Sequence, residues 1–219
     1  MLSYKNIDGK RAVVVKFSKG LSPELSNLAT MGTYSAEQHY QREKLIFYGN
    51  AFDKLVGDSK DLRPPVQNIC AFFLSKFVGP GGPTDGVSAK KFGTRGSYLK
   101  MLSEPGLFGD RKRDSTGKKY ISQATRLKLL QHIDQLWFNS NVDIMQNILR
   151  AKFMLPPFKE VLLSTGNLPI YEQTLRGENI WCRSTKGVPR MTGNREVSRW
   201  GLLGDLLMEI RALLQNRAL

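Results

Sequence analysis

The chain has 219 residues, a formal net charge of +14, 41% hydrophobic residues and 24% charged residues. This composition supports a packed core and excludes wholesale disorder, and the length suits one domain. The longest apolar run covers residues 69–74, far fewer than the roughly 18 to 20 residues of a membrane-spanning helix, so we expect no membrane partner.

Cysteine and histidine usage predicts the cellular compartment and whether the protein binds a metal. Cys70 and Cys182 are too few for a disulfide framework, and with His39 and His132 they form no zinc-binding spacing. The first residues lack the apolar core of a signal peptide. We therefore expect a cytoplasmic protein without a metal or other cofactor, and the oligomeric state stays open.

The first half of the chain predicts one strand and one long helix. Residues 12–17 are rich in valine and predict a strand, followed by a loop-like segment at 25–28. Ser35 has the spacing of a helix cap, and apolar residues recur at helical intervals to about Val56. An apolar segment at 66–78 then ends at a Gly/Pro cluster over residues 79–83, which predicts a loop.

The second half predicts three helices. Helical periodicity covers residues 123–137 and 142–153, with Asn139-Ser140-Asn141 as the predicted break between them. A last apolar stripe over residues 200–214 predicts a helix that docks on the rest of the chain. The expected fold class is a single α+β domain, mainly helical, with few short strands.

A basic stretch occupies residues 94–130, with nine Lys or Arg residues against three acidic ones. It is either a solvated loop or a surface that contacts phosphates of nucleic acid, and the sequence favours neither. In the second interpretation the contacts are Arg111, Lys112, Arg113, Lys118 and Lys119.

One side of the long helix combines acidic, basic and aromatic residues: Glu37, Tyr40, Gln41, Lys44 and Tyr48. Lys44 occupies a position where the apolar stripe would otherwise continue, so its ammonium is expected to be at least half shielded from water. The balance of burial and neighbouring charge decides whether Lys44 is a charge clamp or a nucleophile. In the alternative interpretation, Glu37 only favours the helix N-terminus and Lys44 extends to water.

The tryptophans divide into two kinds. Trp137 lies in a helical stripe, as core tryptophans do, whereas Trp181 lies in the polar segment 176–184 together with Glu178. Such a segment is typical of a loop that presents an aromatic ring to a ligand.

Five stretches in chain order carry a resemblance to a known family. They are L-S-N-L at 25–28, S-A-E-Q-H-Y-Q-R-E-K at 35–44, S-A-K-K-F-G at 88–93, a run from W137 through M145 and L-R-A-K-F at 149–153 to L-L-S-T-G at 162–166, and E172 with W181 before L-G-D-L-L-M-E-I-R at 203–211. Together they resemble the NADAR-domain (YbiA-like) family of riboflavin-intermediate N-glycosidases.

Four departures from the family pattern accompany the resemblance. Asn27 and Glu37 are only ten residues apart, so we expect a small hairpin to be missing. The long separation of Gly93 and Trp137 makes the basic stretch an insertion into the family core. Cys182 follows Trp181 at a position where the family usually has glycine, and Glu178 stands roughly where the family has an aspartate. Both changes bear on the role of the loop around Trp181 and on the choice of substrate.

The resemblance implies hydrolysis of a C1'–N bond in ribosyl or ADP-ribosyl compounds. Glu37 would be the catalytic carboxylate, and Lys44 would bind phosphate or form an imine with a ring-opened sugar. Tyr40, Gln41 and Glu178 would contact substrate; Asn27 would bind the sugar; Trp137 and Trp181 would stack on it. The substrates are ribosylamino-pyrimidine intermediates or ADP-ribosylated guanine in nucleic acid; the alternative is a non-catalytic module that binds ADP-ribose, NAD or nucleic acid.

Overall fold

The computed structural model describes residues 1–16, 22–57, 68–103, 122–173, 179–184, 190–192 and 194–216. Within these ranges the fold is mixed α+β and mainly helical with short strands, as the sequence predicted. The chain divides into two compact units: unit 1 comprises residues 1–36 and 142–219, and unit 2 comprises residues 37–141. The single-domain assignment stays a prediction.

Strands and helices follow one another along the chain in the following order. The strands are β1 (Tyr4–Ile7), β2 (Lys10–Lys16), β3 (Thr30–Met31), β4 (Tyr34–Ser35), β5 (Ile170–Gln173), β6 (Arg190–Thr192) and β7 (Arg195–Val197). The helices are α1 (Ala36–Gly57), α2 (Ile69–Val78), α3 (Gly86–Phe92), α4 (Arg95–Leu102), α5 (Gln123–Met154), α6 (Pro156–Leu163) and α7 (Leu202–Asn216), with a short 3-10 helix at Pro23–Leu25.

A three-stranded sheet forms the centre of unit 1. Strand β2 pairs antiparallel with β1 and parallel with β5, with Val13 opposite Ile170. Residues 12–15 are all buried, because a strand with neighbours on both edges and cover on both faces has no solvent side. The predicted strand is confirmed, although it begins at Lys10, and Phe17 lies outside the described residues.

Helix α7 packs on β5 and α6 within unit 1. Its contact with the sheet is close at Gly204, where a Cβ atom would stand 2.1 Å from the carbonyl oxygen of Ile170. Only glycine allows this approach of helix to strand. The helix predicted over residues 200–214 is confirmed with a start at Leu202.

A minimal hairpin precedes α1, which makes the expectation of a missing hairpin wrong. Strands β3 and β4 pair antiparallel, with Thr30 opposite Ser35. Two residues link them, and Gly32 has a φ of +87°, which suits a tight turn. Ten residues between Asn27 and Glu37 are therefore enough for two two-residue strands.

Helix α5 runs without a break for 32 residues, so the predicted interruption at Asn139-Ser140-Asn141 is wrong. Asn and Ser lower helix propensity by less than about 0.7 kcal/mol each, and neither blocks the backbone as proline does. Buried residues continue at helical spacing on both sides of this segment, among them Ile133, Trp137, Met145 and Leu149. Burial of these residues therefore stabilises the continuous helix by more than Asn139, Ser140 and Asn141 destabilise it.

The core of unit 2 is aromatic. Phe73 of α2 lies edge-on to Phe52 of α1, with ring centroids 6.3 Å apart, and 5.7 Å from the ring of Tyr98 on α4. The ends of the basic stretch are helical: Tyr98 and Leu102 are buried on α4, and Leu130 is buried on α5. The loop interpretation is therefore wrong for residues 95–102 and 123–130.

No helix among the described residues combines the length and the apolar character that crossing a bilayer requires.

Candidate active site

The first turn of α1 holds a buried carboxyl group. Glu37 is 4% exposed, and the side-chain amide of Gln41, one turn later, donates a hydrogen bond of 2.8 Å to its Oε1. Burial raises the pKa of Glu37, while the Gln41 hydrogen bond and the charges of Lys90 and Lys44 act in the opposite direction. A carboxyl group with a raised pKa is suited to proton transfer near neutral pH.

Lys44 lies two turns after Glu37 and has a defined partner. Its Nζ donates a hydrogen bond of 2.9 Å to the carbonyl oxygen of Gly93. The side chain is half-buried, as the sequence predicted, and burial lowers the pKa of Lys44 against the opposing charges of Asp134 and Glu37. The ammonium is thus held inside unit 2 instead of extending alone into bulk water.

Two stacked tyrosines line the Lys44 ammonium. The rings of Tyr48 and Tyr98 are parallel within 12°, with centroids 4.5 Å apart. The Nζ of Lys44 lies 5.3 Å from the first centroid and 5.5 Å from the second, within the range of cation–π attraction. Burial raises the pKa of both tyrosines, so both remain protonated around neutral pH.

Asp134 of α5 links this aromatic pair to a surface cation. The hydroxyl of Tyr48 donates a hydrogen bond to Asp134 Oδ1, and Arg95 Nε lies 3.8 Å from Asp134 Oδ2. Asp134 therefore supplies negative charge near Lys44 from a second helix. The sequence did not predict a role for Asp134 or Tyr98; the only signal was their place in elements rich in buried aromatic residues.

Gly93 connects the S-A-K-K-F-G segment with the long helix. A Cβ at this position would lie 1.8 Å from Gln41 Oε1, so the Gln41 amide occupies the space that a side chain would fill. The same glycine presents its carbonyl oxygen to Lys44. One backbone position thereby orients the partner of Glu37 and the ammonium of Lys44 together.

Trp137 and Tyr40 form a wall of aromatic rings in unit 2. Their centroids are 5.4 Å apart, and Phe47 lies 5.4 Å from Trp137 in an edge-on arrangement. Trp137 is 6% exposed and Tyr40 is 8% exposed. Trp137 also lies 6.2 Å from the ring of Tyr48. The assignment of Trp137 and Tyr40 to substrate contact stays a prediction.

The remaining predicted substrate contacts that the structure describes belong to unit 1. Asn27 is buried in the turn that follows the 3-10 helix. Trp181 is half-buried in segment 179–184. Its backbone N–H donates a hydrogen bond of 2.9 Å to Asn179 Oδ1, and its backbone carbonyl accepts one of 3.2 Å from the N–H of Leu203. The first turn of α7 thus holds the backbone that carries the Trp181 ring.

Several predicted residues lie outside the described ranges: Glu178, Arg111, Lys112, Arg113, Lys118 and Lys119. At the described edge of the basic stretch, Arg126 is 2% exposed and donates to the carbonyl oxygen of Leu102 at 3.4 Å. At least one cation of that stretch is therefore internal and does not belong to a binding surface. Among the described residues, no group of three His, Cys, Asp or Glu side chains is arranged to hold a metal ion.

Comparison with known proteins adds no assignment. No protein-family model matches the chain, and a search of curated proteins gives no significant match. Glu37, Gln41, Lys44 and Gly93 of unit 2 are accordingly the basis on which a function is proposed.

Proposed function

We propose that the protein is an N-glycosidase that hydrolyses the C1'–N bond of ribosyl or ADP-ribosyl compounds. One observation carries the proposal: a carboxyl group and an amine stand two turns apart on one helix, both largely withdrawn from water and each bound to its own partner. The motif resemblance described above supplies the substrate class.

The carboxylate of Glu37 matches the charge that develops during this cleavage. As the C1'–N bond breaks, its electron pair leaves with nitrogen and C1' acquires oxocarbenium character. An ionised Glu37 stabilises that positive charge and accepts a proton from the water that attacks C1'. The leaving nitrogen takes up one proton, so the products are the free amine and the free sugar.

Lys44 serves this reaction in one of two ways. As an ammonium it binds a phosphate or pyrophosphate of the substrate. As a neutral amine it attacks C1' while the bond from C1' to the base nitrogen breaks, and the base nitrogen takes the proton that Lys44 loses. The sugar ring then opens to an imine between Lys44 and C1', and water hydrolyses this imine to the free sugar and the free lysine. Its lowered pKa favours the amine, whereas Asp134 and Glu37 favour the ammonium.

The charge of the chain favours a nucleic-acid substrate, in which ADP-ribose is attached to guanine. A charge of +14 attracts a polyanion, and the phosphates of nucleic acid provide one. The smaller ribosylamino-pyrimidine compounds carry fewer phosphates. Arg111, Lys112 and Arg113 are the proposed contacts to the polyanion.

Identification of the released products tests the proposed activity. The purified protein is incubated with ADP-ribosylated guanine DNA and, separately, with ribosylamino-pyrimidine compounds, and mass spectrometry follows free ADP-ribose or ribose 5-phosphate together with the freed base or amine. We expect release from at least one substrate class. Binding of ADP-ribose without release would instead identify a non-catalytic binding module.

Borohydride trapping decides between the two roles of Lys44. Reduction of an imine during turnover would leave the sugar covalently attached to the peptide that contains Lys44. Turnover without such an adduct, combined with weaker substrate binding in Lys44→Met, would assign the ammonium to phosphate binding.

Salt titration tests the nucleic-acid arm of the proposal. Simultaneous replacement of Arg111, Lys112 and Arg113 by Gln should flatten the dependence of log K on log salt, by up to about 0.9 for each phosphate that the variant no longer neutralises. The matched control replaces three exposed lysines elsewhere: Lys5, Lys10 and Lys54. Equal slopes in both triple variants would remove the basic stretch from the proposal.

A further inference from the structure

Lys152, near the end of α5, is a lysine with no exposed surface. Its Nζ donates a hydrogen bond of 2.5 Å to the carbonyl oxygen of Ser26. The rings of Phe153 and Phe158 lie 5.0 Å and 4.8 Å from the ammonium. All of these groups belong to unit 1.

Burial of the Lys152 ammonium works against the stability of the fold. Burial lowers the pKa of Lys152 to about 7, and the charge of Glu24 offsets only part of that effect. An apolar side chain of similar length would fill the same space without the loss of hydration that a buried charge suffers. The hydrogen bond to Ser26 is the specific interaction that such a replacement would remove.

The carbonyl that Lys152 holds belongs to a tightly turned segment, residues 22–29. Ser26 N–H donates to Pro23 oxygen at 3.1 Å, Ala29 N–H donates to Ser26 oxygen at 3.1 Å, and Leu28 N–H donates to Ser26 Oγ at 3.2 Å. Lys152 adds a tertiary contact to these local bonds. It reaches this segment from a position 126 residues away in sequence.

Fixing the Ser26 carbonyl also fixes Asn27. The peptide unit is planar, so the Ser26 oxygen, the Asn27 nitrogen and the Asn27 Cα move as one rigid group. Asn27 is 7% exposed, and a small rotation of that plane would redirect its side chain. A misplacement of about 1 Å in a substrate contact is enough to reduce catalytic efficiency strongly.

We propose that Lys152 is a positioning residue, which holds the Ser26–Asn27 peptide and thereby fixes the direction of the Asn27 side chain, the predicted contact to the sugar. This inference rests on the proposed N-glycosidase function for the role of Asn27. The anchoring of the peptide by Lys152 is a property of unit 1 and can be measured without substrate.

Amide hydrogen exchange tests the anchor in the full chain. In Lys152→Met we expect the hydrogen-bonded amides of Leu25, Ser26, Leu28 and Ala29 to exchange at least about tenfold faster, with no loss of thermal stability. Arg150→Met, an exposed position on the same helix, is the matched control and should leave them unchanged. Unchanged exchange in Lys152→Met, or failure of that variant to fold, would overturn the inference.

Steady-state kinetics tests the consequence for substrate. Lys152→Met should raise KM about tenfold with a smaller change in kcat, because Asn27 binds the sugar and does not transfer protons. In an Asn27→Ala background the same replacement should have no further effect on KM. An undiminished effect in that background would contradict the proposed route through Asn27.

The two proposals fail in different ways. Absence of turnover by the wild-type protein on every ribosyl substrate would remove the N-glycosidase assignment. If the amides of residues 22–29 exchange as slowly in Lys152→Met as in the wild-type protein, Lys152 does not anchor this segment, even if the wild-type protein is active.

Discussion

Lys44 in unit 2 and Lys152 in unit 1 are both lysines that burial shifts to a lower pKa, and both donate to a backbone carbonyl. Both ammonium groups also lie near two aromatic rings. Their acidic neighbours differ: the charges of Asp134 and Glu37 oppose the effect of burial on Lys44, whereas Glu24 opposes it on Lys152. Lys44 shares its helix with the candidate catalytic carboxyl group of Glu37 and is suited to chemistry, whereas Lys152 binds the backbone of the 22–29 segment and is suited to hold it in place.

Replacement of Glu37 should reduce turnover more than any other change proposed below. Glu37→Gln keeps the size of the side chain but removes the carboxylate, so turnover should fall about a thousandfold. Glu43→Gln on the same helix, where the side chain is 41% exposed and pairs with Arg42, should retain activity. Full activity of Glu37→Gln, measured by release of ADP-ribose or ribose 5-phosphate, would eliminate Glu37 as the catalytic group.

Lys152 should produce its own signature in the pH dependence of stability. Its pKa is about 7 in the folded protein and near 10.5 when unfolded, so between these values the unfolded chain binds a proton that the native chain does not. Wild-type stability therefore gains a contribution as pH rises through this window, on the order of 5 kcal/mol in total at about 1.4 kcal/mol per pKa unit.

Denaturant unfolding at a series of pH values measures that contribution. Lys152→Met should be more stable than the wild-type protein near pH 6, and the difference should shrink as the pH approaches 10. Arg150→Met should follow the wild-type curve. A pH-independent difference would show that the charge of Lys152 is not suppressed by burial.

Gly93→Ala tests the shared backbone position of the Glu37 site. The added Cβ would stand 1.8 Å from Gln41 Oε1, so the amide must move and its hydrogen bond to Glu37 must weaken. We expect a destabilisation of about 1–3 kcal/mol and a clear loss of activity. Gly96→Ala is the matched control: its Cβ would meet only Thr94 Oγ1, at 4.0 Å, and it should stabilise α4.

Asp134→Asn tests the difference between the two lysines most selectively. The Asp134 charge raises the pKa of Lys44, so its removal should lower that pKa further. The limb of the pH–rate profile that belongs to Lys44 should move to lower pH. Asp143→Asn, an exposed position on the same helix, should not move it, and an equal shift in both variants would attribute the effect to net charge.

The long helix and its polar side could be predicted because their signals are local. Glu37, Gln41 and Lys44 share one side of α1 through the helical repeat alone, and an interrupted apolar stripe was enough to place Lys44 partly out of water. The break in α5 was predicted wrongly because Asn139-Ser140-Asn141 is a local signal that burial of the flanking stripe overrides.

The partners of these side chains could not be predicted, because they come from other elements. Gly93 lies 49 residues from Lys44, and Asp134 lies 86 residues from Tyr48. No periodicity in one sequence specifies which carbonyl receives an ammonium. Lys152 was visible only as one letter of a motif, since its burial depends on how Ser26 and Phe158 pack against it.

A double-mutant cycle tests the central claim most directly. Turnover is measured for the wild-type protein, Glu37→Gln, Lys44→Met and the double variant under one set of conditions. If both side chains act on the same C1'–N bond, the double variant should be little worse than the poorer single variant. Losses that multiply independently would contradict joint action of Glu37 and Lys44.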